Sequence, residues 1–124
     1  MGNPFCHIEL HSSAVAEVKS FYGDLFDWSM QDMPMGEHQY TMVKTADGED
    51  EVGGGITQKM CDDAPNHWLS YVLVDDVDAS LKKATDLGGS VIVDKTEIPE
   101  MGHFGVLADP SGAALGVYQA TKKA

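Results

Sequence analysis

The chain has 124 residues, enough for one domain with a real core and too few for two ordinary ones. Its net charge is −12, and all 8 basic residues are lysine, so the clustered cations of nucleic-acid binding and the bidentate arginine fork for carboxylates and phosphates are both missing. No apolar run approaches the length of a membrane span, and the first ten residues lack the basic and apolar regions of a secretory signal, so no membrane partner is expected and the cytoplasm is the expected location.

Phe5 to His11 alternates, with Cys6, Ile8 and Leu10 on one side and His7, Glu9 and His11 on the other, which predicts a strand with an apolar and a polar face. Ser12 or Ser13 is placed to cap a helix whose buried stripe is Val15, Val18, Tyr22 and Leu25. Phe26 and Trp28 follow as packing residues. Asp27 to Gln31 reads as a short strand ended by the Met33-Pro34 turn region. His38 to Thr45 alternates again, with His38, Tyr40 and Met42 on one face, and Asp47-Gly48 is a hairpin signal. Glu51 to Gln58 completes the first half. Its run Gly53-Gly54-Gly55 suggests a bulge, or a place where a ligand or another part of the backbone comes close.

A polar linker, Lys59 to Asn66, divides the chain at its midpoint. Trp68 to Val74 is rich in aromatic and β-branched residues and predicts a largely buried strand, with Trp68 turned to the core. Asp75 and Asp76 are candidate caps for a helix striped by Val77, Leu81, Ala84 and Leu87, and Gly88-Gly89 stops it. Strands follow from Val91 to Val93, Gly102 to Ala108 and Ala113 to Gln119, the last two joined by the turn Asp109-Pro110-Ser111-Gly112. Thr121 to Ala124 is expected to fray. Cys6 reads as a small core residue and Cys61 as a loop residue; without CxxC partners they make neither a disulfide framework nor a zinc site.

The halves align at an offset near 62 residues, which sets His7 on Leu69, Glu9 on Tyr71 and Leu25 on Leu87, drifting to 64 where Tyr40 meets Phe104. Each half reads β-α-β-β-β, so the fold class is α+β: tandem βαβββ repeats (5–58 and 67–120, with 59–66 between them) in one domain, forming two curved mixed sheets around a cleft.

The stretches FCHIELHSS, FYGDLFDW, YVLVDDVDASLKKATDLGGSVIV and VLADPSGAALGVYQ together resemble the vicinal oxygen chelate superfamily of glyoxalase I, extradiol dioxygenases and bleomycin- and fosfomycin-resistance proteins. The branch that looks most similar holds glyoxalase-like proteins described loosely as hydroxylases. The resemblance implies a divalent metal held by His and Glu between the repeats. Carried over by position, the first ligand falls on His7, the second on Leu69, the glutamate of the last strand on Gly116, and its first-half counterpart near Gly53. One donor of four survives, so the usual metal site is expected to be lost and no cofactor is expected, with a nonstandard divalent-metal site from His7, Glu9 and His38 or His103 as the alternative. Many relatives with one such module pair as two-fold dimers, which makes a homodimer the expected assembly.

His7, Glu9 and His11 lie roughly 7 Å apart in sequence-adjacent pairs along one strand face. They read either as a polar wall for a ligand, with Glu9 as base, or as a hydrogen-bonded cluster inside a wet cavity. Tyr71, as the counterpart of Glu9, is placed to stack on or hydrogen-bond a ligand, and His38 and His103 lie near the starts of matching strands. The acidic surface favours a cationic ligand, and Met42 and Met60 suit a partly apolar one. Three functions remain: a metal-free module binding a small molecule between the repeats, a metal-dependent lyase or dioxygenase of glyoxalase I type, and an accessory or regulatory protein with a ligand pocket. No nucleophile elbow, P-loop or dinucleotide fingerprint is present.

Overall fold

Alternation of apolar and polar residues gives the first strand, β1 (Phe5–Ser12), and helical spacing of Val15, Val18 and Tyr22 gives α1 (Val15–Leu25). Then come β2 (Ser29–Met35), β3 (His38–Lys44) and β4 (Gly53–Gln58). The second half repeats the order with β5 (His67–Leu73), α2 (Val77–Asp86), β6 (Ser90–Ile98), β7 (Gly102–Ala108) and β8 (Ala114–Ala120). In this computed structural model residues 2–35, 38–45, 53–59, 65–98 and 102–120 are described, those at 34, 35, 38 and 39 by their backbone alone. The expectations for Asp47-Gly48, Met60, Cys61, the tail 121–124 and the side chain of His38 fall outside the described residues.

Residues 7–69 form one compact unit, and residues 70–120 with 2–6 form the other. The division falls inside β1 and β5 and not in the linker, for local reasons. Pro4 O accepts from Leu73 N at 2.9 Å and Asn3 Nδ2 donates to Leu73 O at 2.9 Å, tying the start of the chain to the second unit. Lys59 N donates to Ser12 O at 3.1 Å and Ser13 N to Asn66 Oδ1 at 3.0 Å, tying the linker ends to the first.

In the unit of residues 7–69 the strands run in the order β2-β3-β4-β1, with β1 and β4 parallel and the others antiparallel. Leu10, Val43 and Ile56 form its buried cluster, and Val15, Val18 and Tyr22 of α1 pack on it with Trp28 and Met30. Leu25, expected in that stripe, is 56% exposed, and the α1 residues packed on the cluster end at Tyr22. Neither serine caps α1: the N-cap is Ala14, and the Ser12 hydroxyl accepts from Ala14 N at 3.0 Å in a local turn. Strand β2 continues past the expected stop, through Pro34 opposite Gln39 to Met35. It is the outer strand of its run, where the missing proline N–H interrupts no ladder. Lys19 of α1 fastens it through Asp32 at 2.7 Å, and Thr41 donates to the same carboxylate at 2.7 Å. Those donors, Lys19 first, hold the Asp32 carboxyl below its ordinary value.

The other unit runs β5-β8-β7-β6, with β5 and β8 parallel. Helix α2 buries Val77 and Leu81 against Val117, while Leu87, expected in the stripe, is the C-cap and lies exposed. Asp76 is the N-cap, accepting from Ala79 N at 3.1 Å. At the other end Gly88 takes φ 101°, so that Gly89 N reaches Ala84 O at 2.8 Å and Gly88 N reaches Thr85 O at 3.1 Å, the paired bonds of a Schellman stop. Strand β6 extends to Ile98 as the outer strand, with two register shifts. The Asp109 carboxylate closes the expected turn by accepting from Ser111 N, Ser111 Oγ and Ala113 N, and the Ser111 hydroxyl bond leads in holding its carboxyl below the ordinary value.

Candidate functional site

The polar face of β1 becomes a site because of its register. Strand β4 lies beside it in parallel, with His7 opposite Gly53, Glu9 opposite Gly55 and His11 opposite Thr57. On β3, Met42 pairs with Gly55, so Tyr40, two residues earlier, projects from the same face and reaches across the glycine. A Cβ at position 55 would overlap the Tyr40 hydroxyl and ring, so only glycine admits the tyrosine there.

Tyr40 is the hub. Its hydroxyl donates to Glu9 Oε2 at 2.6 Å. A phenol has one proton, so the 2.6 Å contact with His7 Nε2 has the ring nitrogen donating to the phenol oxygen. The other carboxylate oxygen, Glu9 Oε1, lies 2.7 Å from His11 Nε2 but out of line with that nitrogen's in-plane bond direction, so the two are in close electrostatic contact without a hydrogen bond. The His11 ring stacks on His67, with centroids 5.0 Å apart and planes 12° apart, and His67 Nδ1 donates to Pro65 O at 2.8 Å. The row closes along its length: side-chain exposure is 24% at His7, 12% at Glu9 and 5% at His11. Burial pushes the His7 imidazole below its ordinary value, against an opposing pull from the Glu9 charge.

The structure thus joins three expected residues, His7, Glu9 and His11, and adds two that the sequence reading did not single out, Tyr40 and His67. Tyr40 carried a signal: it sits on the face that alternation assigns to His38 and Met42, beside a run of glycines. Tyr71 and His103 belong to the other unit. Tyr71 is buried, its ring laid across Gly116 on the neighbouring strand and set edge-on to Phe104 at 6.2 Å. His103 lies on β7, in register with Glu97 and Gln119. His38 begins β3.

The register also corrects one correspondence. Tyr71 pairs with Gly116, and its counterpart Glu9 pairs with Gly55, so the first-half match to Gly116 is Gly55 and not Gly53. At both positions a tyrosine ring fills the space where a glutamate side chain would begin. The inherited metal positions therefore read His7, Leu69, Gly55 and Gly116, with Leu69 buried and apolar. One imidazole, its Nε2 engaged by Tyr40, does not fit a metal that wants three or four protein donors. Among the described residues no three His, Cys, Asp or Glu side chains converge as a metal-binding group.

On the opposite face, Ile8, Val43, Gly54, Trp28 and Trp68 border an apolar hollow of about 100 Å³. Trp68, expected in the core, is 41% exposed there, and it meets Tyr22 and Trp28 edge-on. No described helix is long and apolar enough to cross a membrane.

Comparison with known proteins places these features. A sequence profile described as a glyoxalase-like domain matches residues 7–118. CFP32 of Mycobacterium tuberculosis, provisionally named a glyoxylase, is 45% identical over 78 residues, 63% of this chain and 29% of that protein. The anthracycline biosynthesis protein DnrV of Streptomyces peucetius is 28% identical over 127 residues, 90% of this chain and 45% of that protein. The chain thus spans less than half the length of these curated relatives. Among solved structures, the hypothetical protein BH1468 of Bacillus halodurans superposes with a TM-score of 0.68 at 15% identity, covering 100% of this chain and 99% of that one. A methylmalonyl-CoA epimerase of Streptomyces coelicolor in complex with 2-nitronate-propionyl-CoA gives 0.67 at 17% identity, covering 95% and 94%. At such identities the likeness is one of fold.

Proposed function

Because the chain belongs to the glyoxalase-like domain family and has the vicinal oxygen chelate fold, we propose that it binds a small organic molecule on the row His7–Tyr40–Glu9–His11 and does so without the divalent metal of its superfamily. The observation that carries this reading is the Tyr40 hydroxyl, which engages both His7 Nε2 and Glu9 Oε2 at 2.6 Å. A nitrogen and a carboxylate that would otherwise be metal donors are committed to a phenol. The row holds a carboxylate between two imidazoles and can both donate and accept hydrogen bonds at a partly exposed end.

The ligand class follows from charge. With no arginine and a net charge of −12, a diphosphate-bearing ligand such as the CoA ester bound by the epimerase lacks its usual partners here. A neutral or cationic molecule with apolar area suits the composition, and the likeness to an anthracycline biosynthesis protein supports a planar, oxygen-bearing one. Homodimer formation belongs to the same proposal. The second reading, a metal-dependent lyase or dioxygenase of glyoxalase I type, draws on the family match alone.

The test is ligand screening read out on the histidine side chains by NMR. Binding molecules are expected to perturb the imidazoles of His7 and His11 and to lose affinity in Tyr40→Phe, which keeps the ring over Gly55 and removes both hydrogen bonds. Hits that perturb only His103 would refute the assignment of the row.

A further inference from the structure

The unit of residues 7–69 carries a second feature, on the face of β1 and β4 away from the histidine row. The apolar hollow of about 100 Å³ there owes its floor to Gly54, where a Cβ would stand 3.2 Å from Ile8 O and 3.5 Å from Val43 Cβ. Ile8, Val43, Thr45, Trp28 and Trp68 border it, and these two tryptophans are the only ones in the chain. Their planes cross at 81° with centroids 6.4 Å apart, which makes a corner where one group can meet the π face of both rings. Tyr22 stacks on Trp28 at 5.9 Å and meets Trp68 edge-on at 5.4 Å, holding the corner in place. The hollow is open to solvent: Trp68 is 41% exposed and Ile8 37%.

We propose that this corner binds a quaternary ammonium group, at a site separate from the ligand row and independent of it. Size selects a compact group, since drug-sized ligands fill roughly 300–1,000 Å³. Charge selects a cation. The chain carries −12, α1 ends at Leu25 with no basic residue in its last turn, and Asp24 and Asp27 flank that end in the sequence shortly before Trp28. No lysine side chain lines the hollow: Lys19 is bound to Asp32, and Lys44, between the lining residues Val43 and Thr45, alternates to the other face. Desolvation selects full methylation. Apart from Thr45 the lining side chains are apolar or absent, so an ammonium with N–H groups would leave donors unpaired there. A trimethylammonium has no such donors and presents its charge through methyl groups to the indole faces.

Choline and 3,3-dimethylbutan-1-ol share a shape and differ in charge, and both tryptophans border the hollow, so intrinsic fluorescence of the intact protein at constant ionic strength reads the site directly. Choline is expected to change the emission saturably, with the neutral alcohol bound about tenfold more weakly. Trp68→Leu removes one wall at an exposed position and leaves Trp28 as reporter; choline affinity should fall about tenfold in it. Equal or tighter binding of the alcohol would overturn the cation assignment and leave a plain apolar pocket. If neither probe moves the emission the proposal is refuted, and conversion of a dimer to a monomer by Trp68→Leu in sedimentation would then assign the hollow to contact between two copies of the chain. The ligand row is read separately, on the histidine resonances.

Discussion

Replacing Gly55 by alanine perturbs one contact whose energy can be worked out. A Cβ at position 55 overlaps the Tyr40 hydroxyl and ring carbons, and the backbone on either side is held in register by β1 and β3. Tyr40 must swing away, breaking its bonds to His7 and to the Glu9 carboxylate. A neutral hydrogen bond contributes about 0.5–1.5 kcal/mol and one to a charged group about 1.5–3, so their loss costs about 2–4.5 kcal/mol. Alanine is better than glycine in a strand by roughly 0.5–1 kcal/mol, which leaves a net loss of about 1–4 kcal/mol. In a Tyr40→Ala background the obstacle is gone, and the same substitution should be neutral or stabilising. Urea unfolding of the four proteins of this cycle measures the coupling directly, with the m-value confirming that the native state is comparable in each. Additivity within about 0.5 kcal/mol would refute the claim that Gly55 exists to admit Tyr40.

Two further expectations follow from local chemistry. Burial lowers the His7 pKa below its ordinary 6.5, so the folded state prefers the neutral ring; the unfolded chain binds the extra proton first, and stability present above pH 6.5 should decline as the pH falls through the window below it. Denaturant midpoints measured from pH 7.5 to 5 should show that slope, and it should flatten in His7→Asn. Removing the N-cap of α2 in Asp76→Ala should lower stability by about 1 kcal/mol, whereas Ser13→Ala, at a residue that caps nothing through its side chain, should change it by a few tenths; calorimetry or urea unfolding distinguishes the two.

Much of the fold was legible because the repeat was. Period-2 runs gave the strands and the stripes Val15, Val18, Tyr22 and Val77, Leu81 gave the helices, while Gly88 and the Asp109 turn stood where their backbone chemistry requires. The errors lie at element ends. Leu25 and Leu87 have the right spacing but stand at the last residue of α1 and the C-cap of α2, where both are exposed, and β2 and β6 run on as outer strands where proline and register shifts are tolerated. At the site, alternation placed His7, Glu9 and His11 on one face. It could not show that Tyr40 comes from two strands away to bind two of them, because that depends on the pairing of β3, β4 and β1 and on the empty side of Gly55. Nor could spacing reveal that Tyr71 would be spent on covering Gly116.

The metal question tests the account at its centre. Elemental analysis of protein purified without chelators or a metal-affinity tag, followed by titration with zinc, nickel and manganese, should find far less than one ion per chain and no saturable tight site, with the His7 and Tyr40 resonances unmoved by the ions. One tightly held divalent ion per chain, lost in His7→Ala, would contradict the hydrogen-bonded row and restore the metal-dependent reading.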